Sequence, residues 1–253
     1  MTSFRGKTVL ITGACGAVGS ACVDAFLLKG ANVFATDRIP PSPALASRSN
    51  VFFQSADVTN QQAVAVAYET ASQRFGRIDA AVLCAGIEGV VASVEEISER
   101  DIDEVLAVNV KGCLFWMQQC LRGMKGQKAG SIVALSSISG VVGSSLLAGY
   151  AMSKHAVIGL VKSAALEAGP HNVRVNAVCP GPIQSAMMHR LDKAFLERDP
   201  HRFVGKSDAA KAIPLQRYVT AIEVAHMITF LCGDESLSCH GGVYMVDGGF
   251  TAK

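Results

Sequence analysis

The chain has 253 residues, half of them apolar, with 17% charged and a formal net charge of +2. That length suits one large α/β domain or two small ones, and the near-neutral balance argues against nucleic acid or another polyanion as partner. Sparse charge implies a large core, with further surface buried in an oligomer.

No apolar run approaches the 18 or so residues of a membrane span. Met1 to Lys7 is polar and Val9-Leu10-Ile11 follows at once, which reads as a start without a secretory signal. The eight cysteines are scattered through apolar stretches with no C-x-x-C pair. Free, buried thiols in a reducing cytosol are the expectation, so the protein is read as cytoplasmic. The alternative for one of them is a reactive Cys15 near a helix N-terminus. The histidines have no metal-ligand spacing, so no protein-bound metal is expected.

Thr8 to Ile11 predicts the first strand. The turn Thr12-Gly13-Ala14-Cys15-Gly16-Ala17-Val18-Gly19 follows, then a helix to Lys29 and a second strand, Asn32 to Thr36, ending on Asp37. This is a βαβ unit shaped for a dinucleotide: glycines admit a pyrophosphate, and the helix N-terminus offers it unpaired N–H groups. Asp37 can accept hydrogen bonds from both adenosine ribose hydroxyls and repels a 2′-phosphate, which favours NAD over NADP. Arg38, next in sequence, softens that repulsion.

Pro40, Pro41 and Pro43 leave room for one helical turn at most before a third strand, Val51 to Gln54. Asp57-Val58 at its end is placed to touch adenine. Gln61 to Phe75 reads as an amphipathic helix closed by Gly76. Ile78 to Leu83 reads as strand four, leading into Cys84-Ala85-Gly86. A long helical region over Glu95 to Met124 contains Asn109. Strand five, Ser131 to Leu135, puts Ser137 just past its C-terminal tip, the edge where open parallel sheets bind ligands.

The next helix, to about Ala168, carries Tyr150 and Lys154. Four apart, they share one helix face. An ammonium one turn from a phenol favours phenolate, and such a phenol can take a proton from an alcohol or give one to a ketone. Val173 to Val178 reads as strand six, followed by the stiff turn Cys179-Pro180-Gly181-Pro182-Ile183. Gln184 to Pro214 is charged and mixed, a flap expected to close over substrate. Thr220 to Leu231 is the last helix and Gly242 to Val246 the last strand. Alternating strands and helices without a linker predict one domain over 1–253, with a parallel sheet covered on both faces.

Taken together, the glycine turn, Asp37, Asp57-Val58, Ala85-Gly86, Asn109, Ser137, Tyr150, Lys154, Pro180-Gly181 and Val246-Asp247-Gly248-Gly249 resemble the short-chain dehydrogenase/reductases, in their short single-domain branch. The resemblance runs the length of the chain. It implies a Rossmann fold with seven parallel strands and reversible hydride transfer with NAD. On it, Tyr150 is the general acid/base and Ser137 holds the substrate oxygen. Lys154 resembles the family lysine that favours the phenolate and hydrogen-bonds the nicotinamide ribose. The Asn109 backbone carbonyl holds a water linking Lys154 to solvent. Ile183 fixes the nicotinamide carboxamide through its backbone, and Ser185 does so through its hydroxyl.

Two departures stand out. Ala17 replaces the middle glycine of the usual T-G-x-x-x-G-x-G turn, with Gly16 beside it. The family N-N-A-G is Leu83-Cys84-Ala85-Gly86 here, leaving the backbone to line the adenosine ribose.

The expected substrate pocket is apolar: Val90, Val91, Val141, Val142, Leu146 and Leu147, with Met187, Met188 and Leu191 from the flap. It suits a hydrophobic secondary alcohol, a cyclic diol or a ketone. The Met and Leu group equally suits simple packing of the flap. One alternative is a reductase of 3-oxoacyl thioesters on a carrier protein docked at Arg122, Lys125 and Lys128; another is a non-catalytic dinucleotide sensor. The resemblance also implies a homotetramer or homodimer.

Overall fold

The protein is described by a computed structural model covering residues 3–199 and 210–252. Seven parallel strands form one sheet in the order β3-β2-β1-β4-β5-β6-β7. They are β1 (Thr8–Thr12), β2 (Asn32–Asp37), β3 (Val51–Ser55), β4 (Ala80–Leu83), β5 (Gly130–Leu135), β6 (Val173–Pro180) and β7 (Val243–Val246). The order reverses between β1 and β4, which opens a crevice at the strands' C-terminal tips.

The helices are α1 (Ala17–Leu28), α2 (Pro43–Ala46), α3 (Gln61–Phe75), α4 (Glu99–Leu106), α5 (Cys113–Gln127), α6 (Ala148–Ala168), α7 (Ala186–Arg198) and α8 (Ala221–Cys232). Strand side chains alternate between two cores. Leu10, Ile132 and Ala134 pack towards Trp116, Met117 and Val161 of α5 and α6. Val9, Ile11 and Val133 pack towards Val23 and Phe26 of α1 and Ile228 of α8. The sheet is thus apolar on both faces, as a doubly wound fold requires. No helix among the described residues is long and apolar enough to cross a membrane.

Several boundaries differ from the sequence reading for local reasons. β4 starts at Ala80, because Ile78 is occupied by the Gln127 side chain, which accepts from its N–H and donates to its carbonyl. The long helical region is divided. Ser98 and Asp101 form a capping box that starts α4, and a π-helical turn over Ala107–Gly112 separates α4 from α5. β6 extends to Pro180, which pairs with Val246. The expected flap contains α7; its residues 200–209 lie outside the described residues.

Candidate active site

A cleft of about 910 Å³ runs along the C-terminal tips. Its wall at one end is the turn after β1. Gly13 has a positive φ of 62°, and a Cβ there would lie 2.8 Å from the Ala85 backbone. A Cβ on Gly19 would lie 2.1 Å from the Gly13 carbonyl oxygen. These glycines let α1 and β4 close on the turn. The changed glycine spacing costs nothing sterically, because Gly16 and Ala17 are both exposed in the cleft wall. α1 has neither a side-chain cap nor an acidic residue in its first turn. Its N-terminus therefore presents donors and positive dipole to the cleft.

At the tip of β2, Asp37 accepts from Cys15 N–H at 3.0 Å and from Ile39 N–H at 3.2 Å. Exposed Arg38 lies beside it, also in the wall. Asp57 and Val58 complete this end, with Asp57 accepting from the Thr59 N–H and hydroxyl at 2.8 Å. Across the crevice, the Cys84 and Ala85 N–H groups donate to the Thr12 hydroxyl at 3.1 and 3.2 Å, which ties β4's exit to β1. Cys84, Ala85 and Gly86 all line the cleft.

Ser137, Tyr150 and Lys154 all line this cleft. Lys154, 4% exposed, donates to the Leu135 carbonyl at 2.8 Å and stands 5.6 Å from the centre of the Tyr150 ring. Among the described residues, two of its three donors stay uncommitted. Ser137 caps a short 3₁₀ turn over Ile138–Gly140 and accepts from the Ser139 N–H at 3.2 Å, leaving its hydroxyl proton free to donate. Asn109 lies behind this group rather than in the wall. Its Oδ1 accepts from Ile87 N–H at 2.8 Å, and its Nδ2 donates to the Ile87 carbonyl and Ser153 Oγ, both at 2.9 Å. It pins the loop after β4 to α6, one residue before Lys154.

The far wall comes from Pro180, Gly181, Ile183 and α7. Gly181 packs so closely that a Cβ would lie 3.0 Å from Asp247 Cα, and Ile183 bridges to Val219. Ser185 caps α7, accepting from Met188 N–H at 3.2 Å, with no acceptor for its own proton among the described residues. Met187 and Met188 pack with Leu147, Leu191, Phe195 and Tyr150 in one apolar cluster. Both the pocket reading and the packing reading of these methionines therefore describe them. Leu147, Leu191 and Phe195 also line the cleft, whereas Val90, Val91, Val141, Val142 and Leu146 lie outside its wall.

The family model described as enoyl-(acyl carrier protein) reductase matches residues 13–251. The chain belongs to the short-chain dehydrogenase/reductase family. Among relatives of this oxidoreductase, UcpA of Escherichia coli K12 is 34% identical, over 99% of this chain and 97% of its own. Levodione reductase of Leifsonia aquatica is 30% identical, over 99% and 96%. A 3-oxoacyl-[acyl-carrier-protein] reductase of Thermotoga maritima is 35% identical, over 97% and 98%. Among solved structures, levodione reductase superposes with a TM-score of 0.92 at 29% identity, over 98% of this chain and 99% of that one. Xylitol dehydrogenase with NAD⁺ bound gives 0.91 at 31%, over 97% and 99%. ElxO with NADP bound gives 0.88 at 30%, over the whole of both chains. Such neighbours thus carry either dinucleotide.

Three features of this dehydrogenase/reductase were not legible as site elements in its sequence. Ser153, fully buried, receives Asn109, and Ser136 donates to the Lys154 carbonyl at 2.9 Å. Ser139 orients Ser137. The only signal was their adjacency to residues already singled out. Burial first, and then the nearby Asp37 carboxylate, push the Cys15 thiol up, opposing the helix dipole and counting against the alternative of a reactive Cys15. Four of the eight cysteines, Cys15, Cys84, Cys113 and Cys239, are only half-buried.

Proposed function

We propose that this oxidoreductase interconverts a hydrophobic secondary alcohol or cyclic diol and its ketone, using NAD in preference to NADP. The observation that supports this reading is that Ser137, Tyr150 and Lys154 line one cleft, in which Tyr150 packs with apolar residues of α7. The residues fit a dinucleotide. An uncapped helix N-terminus for the pyrophosphate and a carboxylate at the β2 tip for ribose hydroxyls share the same cleft. The Asp37 charge disfavours a further phosphate there.

When bound, the dinucleotide accepts or donates the hydride. In oxidation, Tyr150 as phenolate takes the substrate's hydroxyl proton as its C–H bond breaks; in reduction it returns that proton to the carbonyl oxygen. Ser137 donates a hydrogen bond to the same oxygen throughout. Lys154 supplies positive charge beside the phenol, and its free donors suit the nicotinamide ribose. The Asn109 carbonyl is assigned the water that links Lys154 to solvent. Ile183 and Ser185 are assigned the carboxamide.

The carrier-protein alternative is supported by the Thermotoga relative. Its docking cations are badly sited, however. Lys125 and Lys128 lie in the last turn and at the C-cap of α5, before β5 begins and so at the end of the sheet opposite the cleft, with Arg122 about a turn and a half earlier in the helix. A six-residue strand makes that separation about 20 Å. A cytoplasmic homotetramer is the proposed state.

The test is a panel of secondary alcohols, diols and ketones with NAD(H) and NADP(H), followed at the nicotinamide absorbance. Turnover of carrier thioesters alone, or none with any compound, would overturn the reading.

A further inference from the structure

The wall beside Ser137 holds more hydrogen-bonding capacity than the proposed reaction uses. Ser139, two residues on, is 6% exposed and shares a 2.7 Å hydrogen bond with the Ser144 hydroxyl of the next loop. Both line the cleft. Two hydroxyls carry two protons. One is spent between them, and no protein acceptor among the described residues takes the other. The Ser139 N–H is already used on Ser137. Ser145, also in the cleft lining, is exposed, whereas Leu147, Met187, Met188, Leu191 and Phe195 present hydrocarbon and thioether surface. A substrate with a single oxygen, held by Ser137 and Tyr150, would cover the Ser139–Ser144 pair with apolar surface. That would strand a hydroxyl donor, and burying an unpaired polar group is costly.

We propose that Ser139 and Ser144 form a second oxygen subsite, so that the preferred substrate carries two oxygens: one reacting between Ser137 and Tyr150, the other hydrogen-bonded to this pair. This rests on the reading of the cleft given above and narrows it to diones, hydroxyketones and diols. A neutral oxygen fits better than a carboxylate. Arg190, the cation of the α7 wall, is already engaged by both oxygens of Glu88. The subsite is a specificity element, because a site built to hydrogen-bond a substrate group selects against analogues lacking it.

The experiment compares cyclohexanone with its ring diones and hydroxyketones in the wild type, Ser144→Ala and Ser139→Ala. The wild type is expected to favour the best two-oxygen compound in kcat/KM. Ser144→Ala should lower that preference about tenfold, mainly through KM, the order set by one hydrogen bond left unmade. Ligand-observed NMR of cyclohexanone and its diones, which carry no alcohol to oxidise, on enzyme with the oxidised dinucleotide should show the same loss in Kd. Unchanged preference and unchanged relative Kd in both variants would overturn the subsite. Should the wild type turn over none of the compounds, the substrate reading fails instead, and the NMR comparison still decides the subsite.

Discussion

Tyr150 and Lys154 are paired by helix geometry, but Lys154 is held in place by tertiary contacts. Its ammonium is anchored on the Leu135 carbonyl at the end of β5, and its backbone carbonyl on Ser136. Removing the phenolic oxygen while keeping the ring isolates proton transfer from packing. Tyr150→Phe is expected to lower kcat by about a hundred- to ten-thousandfold, with NADH affinity, read by fluorescence of the bound coenzyme, nearly intact. Retained turnover would reassign the proton. Asp37→Ala tests the other end of the cleft. It removes the carboxylate that accepts from Cys15 and Ile39, so kcat/KM with NADP should rise relative to that with NAD. An unchanged ratio would discard the ribose assignment.

α1 and α7 are the elements that shape the cleft. α1 approaches the turn after β1 so closely that Gly19→Ala cannot be absorbed by a side-chain shift, because the obstructing atom is backbone. That variant is expected to lose dinucleotide affinity, measured by calorimetry, before it loses its fold. α7 is held by its apolar face and by two ion pairs to the segment after β4, Arg190–Glu88 and Arg198–Glu96, the latter pair adjoining Ser93. Partly exposed pairs are weak singly and screened by salt, so rising ionic strength is expected to loosen this contact. Substrate KM should rise with salt in the wild type. It should start higher and respond less in a Glu88→Gln, Glu96→Gln double variant. Equal salt responses would show that the apolar face alone holds α7.

For the whole molecule, the C-terminal segment after β7 closes the wall behind Gly181. Asp247 organises it by accepting from Gly249 N–H at 2.9 Å and from the Thr251 N–H and hydroxyl at 2.9 and 2.6 Å. Burial pushes its carboxyl up, but these bonds prevail and hold it below the usual carboxylate range. A depressed carboxylate stabilises the fold above its unfolded pKa, and that stability is lost as pH falls through the folded value. Asp247→Asn should therefore lower Tm at neutral pH and flatten the loss of stability below about pH 4, seen by thermal melts across pH. The proposed assembly would cover outward residues of α6 such as Met152 and Leu166, 46% and 84% exposed. Light scattering should report four chains.

The sequence by itself determined the order of strands and helices, the glycine turn and Asp37 at a strand tip. It also determined the pairing of Tyr150 with Lys154. Each of these is a local pattern, set by the periods of strand and helix or by residues a few positions apart. It could not show that Asn109 reaches Ser153 or that Asp37 lies beside the Cys15 thiol. Nor could it show that Arg190 and Arg198 fasten α7, or that the Ser144 hydroxyl donates to Ser139 in the cleft wall. Those depend on loops and helices brought together by the sheet, where burial and distance, rather than spacing along the chain, select the partner.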